Sequence, residues 1–255
     1  MILAIDIGNT NIVIGCFDGD DIKFIERLST NQDSTSLEYA ISFKNVLEMY
    51  NSSAEIINGA IISSVVPNVT QTVSDAIKKI TDTEPIIVGP GIKTGVSIKI
   101  DNPAQLGSDL LVAAVAGIAE YKLPLIIFDM GTATTISVID KDKNYIGGMI
   151  MPGVMLSLNS LVGGTSQLPK ISLDPPKKFI GSNTIDSMKS GILYTTACGM
   201  DGMIKRIEDE LNEKVTAVAT GGLAKIFVPL CEREIILDDE LLLKGLRILY
   251  NKNTL

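Results

Sequence analysis

Residues 2–16 read Ile-Leu-Ala-Ile-Asp-Ile-Gly-Asn-Thr-Asn-Ile-Val-Ile-Gly-Cys, and residues 125–139 read Leu-Ile-Ile-Phe-Asp-Met-Gly-Thr-Ala-Thr-Thr-Ile-Ser-Val-Ile. Each is a run of β-formers, then Asp-x-Gly with small polar residues, then a second β-rich run. That pattern predicts a hairpin whose turn carries a carboxylate and a glycine. Two such hairpins at equivalent points predict two similarly folded halves. Gly117 and Pro124 punctuate the chain between them, which places the boundary near residues 117–124, with domains 1–118 and 119–255. Outside the hairpins, β and α signals alternate, as in an α/β architecture. Residues 56–66 read as a buried strand ending at Pro67, 70–80 as a helix and 85–88 as a short strand. Residues 108–121 read as a buried helix, 187–211 as a long helix and 215–219 as a strand delivering Thr220-Gly221-Gly222. Another helix follows that strand, and 239–250 close the chain as an amphipathic helix. The stretch 170–178, with Pro175-Pro176, is the candidate mobile loop.

The chain has 255 residues, 45% hydrophobic and 20% charged, with a formal net charge of −8. No apolar run approaches the roughly 20 residues of a membrane span. The first residues meet Asp6 at once, with no basic leader, and read as a core strand of a cytoplasmic protein. An acidic chain without basic tracts does not suit nucleic acid. Cys16, Cys198 and Cys231 are widely spaced and read as reduced core thiols. The chain has no histidine, which eliminates His-based bases and triads. Proton transfer falls to Asp, Glu, Lys, Tyr or Cys, with Asp leading.

At the first turn, Gly8 permits a positive φ and close approach of a bulky anion. Successive N–H groups can converge on that anion, and Asn9, Thr10 and Asn11 add neutral donors. Asp6 would repel phosphate, so its fitting partner is a cation, Mg²⁺ with its waters. The same logic applies to Asp129, Gly131 and Thr132. A plain hairpin turn with an Asx hydrogen bond is the alternative for either turn alone. Repetition favours the phosphate reading. Gly221 and Gly222 can admit a flat ring, such as adenine with its ribose, close to the backbone, or can serve a plain strand-to-helix turn. Asp109, at the start of the Ala-rich helix, is either a first-turn acid favouring the helix dipole by about 0.3–1 kcal/mol or a general base in phosphoryl transfer.

The segments Asp6 to Val13, Ser63-Ser64-Val65-Val66-Pro67, Asn102-Pro103 with Gly107-x-Asp109, Asp129-x-Gly131-Thr132-Ala133-Thr134, Pro152-Gly153, Ile180-Gly181-x-Asn183-Thr184 and Thr220-Gly221-Gly222-Leu223 together resemble the type III pantothenate kinases, in the family's order and over nearly the whole chain. The resemblance implies the acetate and sugar kinase/Hsp70/actin superfamily. It implies two ribonuclease-H-like (actin-like ATPase) domains, each a mixed β-sheet flanked by helices, with ATP between them. It implies ATP-dependent phosphorylation of pantothenate, the first step of coenzyme A synthesis, by a cytoplasmic homodimer with the substrate site at the subunit interface.

Carried over by position, Asp6, Ile7, Gly8, Asn9, Thr10, Asn11, Ile12 and Val13 would hold the phosphates, and Thr132, Gly221 and Gly222 would add ATP contacts. Asp129 matches the ligand of an activating K⁺ or NH₄⁺ ion, which replaces Mg²⁺ there, while Asp6 keeps Mg²⁺ through water. Asp109 matches the catalytic base. Ile100, Gly107, Ser108, Asp109, Leu110 and Thr184 cover the pantothenate contacts. Two positions depart from the family pattern: Leu110 stands where Arg usually follows the Asp, and Ile100 where Tyr usually precedes Asp-Asn-Pro. Losing a charged bidentate contact weakens binding by about 1.5–3 kcal/mol. Two alternatives follow from those departures: a nucleotide-binding regulatory paralogue without kinase activity, or a kinase for a different small acceptor.

Overall fold

The computed structural model describes residues 1–254. Its first compact unit comprises Met1–Val96, Asp101–Ala119 and the C-terminal helix. Strands β1 (Ile2–Ile7), β2 (Asn11–Asp18) and β3 (Asp21–Ser29) form an antiparallel meander, followed by helix α1 (Ser36–Met49), β4 (Gly59–Ser64), α2 (Pro67–Thr81) and β5 (Ile86–Ile87). The sheet order is β3-β2-β1-β4-β5, with β4 parallel to β1 and β5 parallel to β4. Leu3, Ile5 and Ile7 alternate onto one face, where Tyr39, Phe43 and Leu47 of α1 and Val69, Val73 and Ile77 of α2 bury them. Thr35 caps α1 in a reciprocal box with Glu38, and Pro67, at the first helical position, sets φ for α2.

The second unit comprises Ser97–Ile100 and Glu120–Glu240. The element order there is β6 (Ser97–Ile98), β7 (Leu125–Met130), β8 (Ala133–Ile139), β9 (Asn144–Pro152), α4 (Val154–Gly163), α5 (Thr184–Leu211), β10 (Thr216–Thr220), α6 (Ala224–Phe227) and β11 (Ile236–Leu237). Helix α3 (Ser108–Glu120) begins in the first unit and ends at the junction. The sheet order is β11-β10-β7-β8-β9-β6. Strands β7, β8 and β9 repeat the antiparallel meander, and β10 lies parallel to β7 as β4 does to β1. Apart from the added β6, the two sheets have one topology, so the sequence echo marks a structural repeat of ribonuclease-H-like type. Leu193, Met200, Ile204 and Ile207 of α5 pack on Ile126, Phe128, Ala217 and Ala219.

The expected division 1–118/119–255 needs correction. The main crossover falls within a residue of that boundary, at 119/120, but helix α7 (Leu241–Thr254) packs on β1 and β4 and belongs to the first unit. Leu243 of α7 lies over Gly15, and the Tyr250 ring fills the space a side chain at Gly59 would need. Residues 97–100 join the second unit because β6 pairs with β9. The strand expected over 56–66 is shorter, since residues 54–56 form a turn of 3₁₀ helix. The helix after Gly222 is a single turn. Residues 170–178 carry neither helix nor strand, and there Asp174 pairs with Lys189 of α5 at 2.6 Å. Cys16 is a core thiol as expected, whereas Cys198 is exposed and Cys231 half-buried.

One buried carboxylate gives the second unit a pH signature. Glu208, 7% exposed, accepts from Lys214 at 2.8 Å and Arg233 at 2.7 Å. Burial works against ionisation, but these donors hold the carboxyl down at about 2. A depressed folded pKa contributes stability above the ordinary value of about 4.3, lost as pH falls toward the folded one. Thermal melts of the wild type should therefore lose Tm between pH 5 and 2 more steeply than those of Glu208→Gln. Parallel curves would show that the cluster is not a stabilising one.

Candidate active site

In the first unit the β1–β2 turn is tied at three points. The Gly8 N–H donates to the Asn11 carbonyl at 2.9 Å, the Thr30 hydroxyl donates to the Gly8 carbonyl at 2.6 Å, and the Thr30 N–H donates to the Thr10 carbonyl at 2.9 Å. The end of β3 thereby fixes the turn while Asn9, Thr10 and Asn11 stay exposed. Ile7 and Ile12 are wholly buried in the core, so at those positions only the backbone can meet a ligand. Asp6 lies one residue before the end of β1, in register with Ser63 of β4.

Asp109 is half-buried in the first turn of α3. Its Oδ1 accepts the Leu110 N–H at 2.8 Å. A side chain on Gly107 would place its Cβ 2.5 Å from that same oxygen, so glycine there makes room for the folded-back carboxylate. Burial raises the Asp109 carboxyl above its ordinary value, opposed by backbone N–H donors. A carboxylate less stabilised by solvent is a stronger base, which suits proton abstraction at neutral pH.

In the second unit Asp129 occupies the equivalent place, one residue before the end of β7, in register with Thr220 of β10. Gly221 has φ +92°, and a Cβ there would lie 2.7 Å from Asp129 Oδ1 and from the Met130 backbone nitrogen. Gly221 thus lets the end of β10 close onto the Asp129 carboxylate. A Cβ on Gly153 would strike the Thr132 carbonyl, so the Pro152-Gly153 step lets α4 start directly against the second turn. Among the described residues no group of three or more acidic or thiol side chains converges as a metal cage. A hard cation at either turn would take one carboxylate and fill its shell from phosphate and water, which fits the donor chemistry of Mg²⁺ and K⁺.

Thr184 opens α5, behind Asn183, whose side chain accepts the Asp186 N–H at 2.9 Å. It lines an open hollow of about 700 Å³ with Leu161, Leu168, Gly181, Met188 and Ile192. No charged side chain lines that hollow.

A model of the type III pantothenate kinases matches residues 2–206. The chain belongs to that family. Type III pantothenate kinases from Exiguobacterium sp. and Halalkalibacterium halodurans are 44% and 42% identical to this kinase, each over 253 residues. Those alignments cover 99% of this chain and 99% and 100% of the relatives. Among solved structures, the activator of 2-hydroxyisocaproyl-CoA dehydratase from Clostridium difficile, with bound ADPNP, superposes with a TM-score of 0.58 at 15% identity, covering 98% of this chain and 93% of that one. Component A of (R)-2-hydroxyglutaryl-CoA dehydratase from Acidaminococcus fermentans gives 0.56 at 15%, covering 98% and 96%. At such identities the likeness is one of fold, that of the actin-like ATPases and sugar kinases.

In this kinase the expected residues sort by unit. Asp6 to Val13 and Gly107 to Leu110 lie in the first, while Ile100, Asp129, Thr132, Thr184, Gly221 and Gly222 lie in the second. Sequence reasoning gave no role to Thr30, Ser63 or Gly153. Ser63-Ser64 at the end of an apolar strand was a usable signal, because buried hydroxyls require partners.

Proposed function

We propose that this kinase transfers the γ-phosphoryl group of ATP to the 4′-hydroxyl of pantothenate, with Asp109 as general base. Asp109 takes the hydroxyl proton as the oxygen bonds to γ-phosphorus and the bond to the ADP oxygen breaks, giving ADP and 4′-phosphopantothenate. The observation that carries this reading is the first unit's geometry: a half-buried carboxylate with a raised pKa, held on a helix that starts against the strand next to Asp6. The turn from Asp6 to Val13 holds the phosphates, and Thr132, Gly221 and Gly222 add nucleotide contacts. Asp129 would hold K⁺ or NH₄⁺ and Asp6, through water, Mg²⁺; when bound, these cations offset phosphate charge.

Gly107, Leu110, Ile100 and Thr184 contact pantothenate in a cytoplasmic homodimer whose substrate site lies at the subunit interface. Exposed apolar side chains support that assembly: Met155 and Leu156 on α4, and Phe179, Ile180 and Ile185 flanking Thr184.

Leu110 and Ile100 supply the test. Steady-state ADP release with MgATP, K⁺ and pantothenate should be pantothenate-dependent in the wild type. The double change Leu110→Arg and Ile100→Tyr should lower the pantothenate KM about tenfold or more, the value of one charged contact. An unchanged KM would refute the role given to those positions. No pantothenate-dependent ADP from the wild type would refute the function.

A further inference from the structure

The Ser108 hydroxyl is fully committed inside the protein. It donates to the Ser64 carbonyl at 2.9 Å and accepts from the Ser63 hydroxyl at 3.2 Å and the Ser64 N–H at 3.1 Å. A serine hydroxyl offers one donor and two acceptor sites, so nothing remains with which to bond a substrate. The partners are also fixed. Ser63 is wholly buried, and Ser64 is held in turn by the Thr70 hydroxyl at 2.7 Å and by the Val66 N–H at 3.0 Å. The network therefore joins the end of β4, the start of α2 and the start of α3.

Its position relative to the first turn follows from register. Ser63 pairs with Asp6 in the parallel β1–β4 ladder, and paired residues on neighbouring strands project to the same face. Leu3, Ile5 and Ile7 point to the face covered by α1 and α2, so Asp6 and Ser63 point to the other. The next residue after Ser108 is Asp109.

We propose that Ser108 is a positioning residue: its hydroxyl, bonded to Ser63 and Ser64, pins the first turn of α3 to the strand beside Asp6 and so fixes the Asp109 carboxylate in the frame of the first turn. Ser108 thereby leaves the set of substrate contacts implied by the family pattern. This assignment rests on the reading of Asp109 as the base. Ser63 acts through Ser108. A base held within a fraction of an ångström matters because misplacement by about 1 Å costs about 100-fold in rate.

The test combines kinetics with amide hydrogen exchange on the unliganded full chain. Ser108→Ala should lower kcat about 10–100-fold, with the KM values for ATP and pantothenate within about twofold of the wild type, because a positioning loss acts on the transition state. Ser108→Thr, which keeps a hydroxyl, should recover most of the rate. Ser63→Ala should act in the same direction, and the double alanine variant should fall short of the product of the two effects, since both remove one link. Exchange should rise at residues 108–112 in Ser108→Ala and Ser63→Ala alike. A raised pantothenate KM at unchanged kcat would make Ser108 a substrate contact and overturn the proposal, as would unchanged exchange in both variants. Should Ser108→Ala fail to fold, the same two readouts on Ser63→Ala decide. Because exchange is read without substrate, an inactive wild type would sink the kinase reading while the exchange data still judged the anchor.

Discussion

Asp109→Asn lowers kcat by about 10²–10⁴-fold, the range typical of removing a positioned general base, while nucleotide affinity stays within about twofold. Asparagine preserves the shape of the side chain and the acceptor for the Leu110 N–H, so what disappears is the ability to take a proton. Stability should not fall. Burial raises the folded pKa of Asp109, so its ionised form costs stability at pH values above that pKa, a cost relieved as pH falls through it. The neutral amide removes that cost at pH 7, and melting curves there should show the variant equal to or above the wild type. A second consequence concerns pH. The base works only when ionised, so the acid limb of the kcat profile should fall above the ordinary aspartate value of about 3.9. Initial rates over a pH series, with the asparagine variant as baseline, check both points. Turnover equal to that of the wild type would remove Asp109 from the mechanism.

Gly221→Ala is expected to damage the second unit in two ways. At φ +92° an alanine is strained, and its Cβ would lie 2.7 Å from Asp129 Oδ1 and from the Met130 nitrogen, and 2.8 Å from the Met130 carbonyl carbon. Backbone strain and overpacking cost about 1–3 kcal/mol each, so a combined loss of about 3 kcal/mol should lower Tm by about 6–12 °C. The same collision displaces the Asp129 carboxylate, so nucleotide affinity should fall beyond what partial unfolding explains. Gly202→Ala is the control. It sits within α5 with nothing within 4 Å of the added Cβ, and alanine there should leave Tm unchanged or raised by the effect of about 0.5–1 kcal/mol that separates glycine from alanine in a helix. Calorimetric melts with nucleotide titration distinguish the two variants. Equal behaviour would show that the approach of β10 to Asp129 does not matter.

Both hairpins were legible because each has strongly β-forming residues around an Asp-x-Gly turn, and repetition made each support the other. The repeated strand order followed from that. The position of α7 was not legible. Leu241, Leu243, Leu246 and Leu249 predict a buried stripe, but a stripe does not name its partner, and the helix returns to β1 and β4, strands far earlier in the chain. Strand β9 runs through Gly147-Gly148 and ends at Pro152, all weak strand signals. Helix α1 did carry a start signal in Thr35 and Glu38, and the reading missed it. At the site, the absence of histidine left Asp109 either a first-turn acid or a base, and the family resemblance alone chose the base. The link from Ser63 to Ser108 did not, because it exists only once β4 lies parallel to β1 in one register.

Phosphorus NMR of a reaction containing the purified chain, MgATP, K⁺ and pantothenate gives the most direct measurement. A new phosphomonoester signal coupled to the 4′-methylene protons, growing in step with ADP and absent with Asp109→Asn, is the predicted result. ADP formed with inorganic phosphate alone, or a product of equal yield from the asparagine variant, would contradict it.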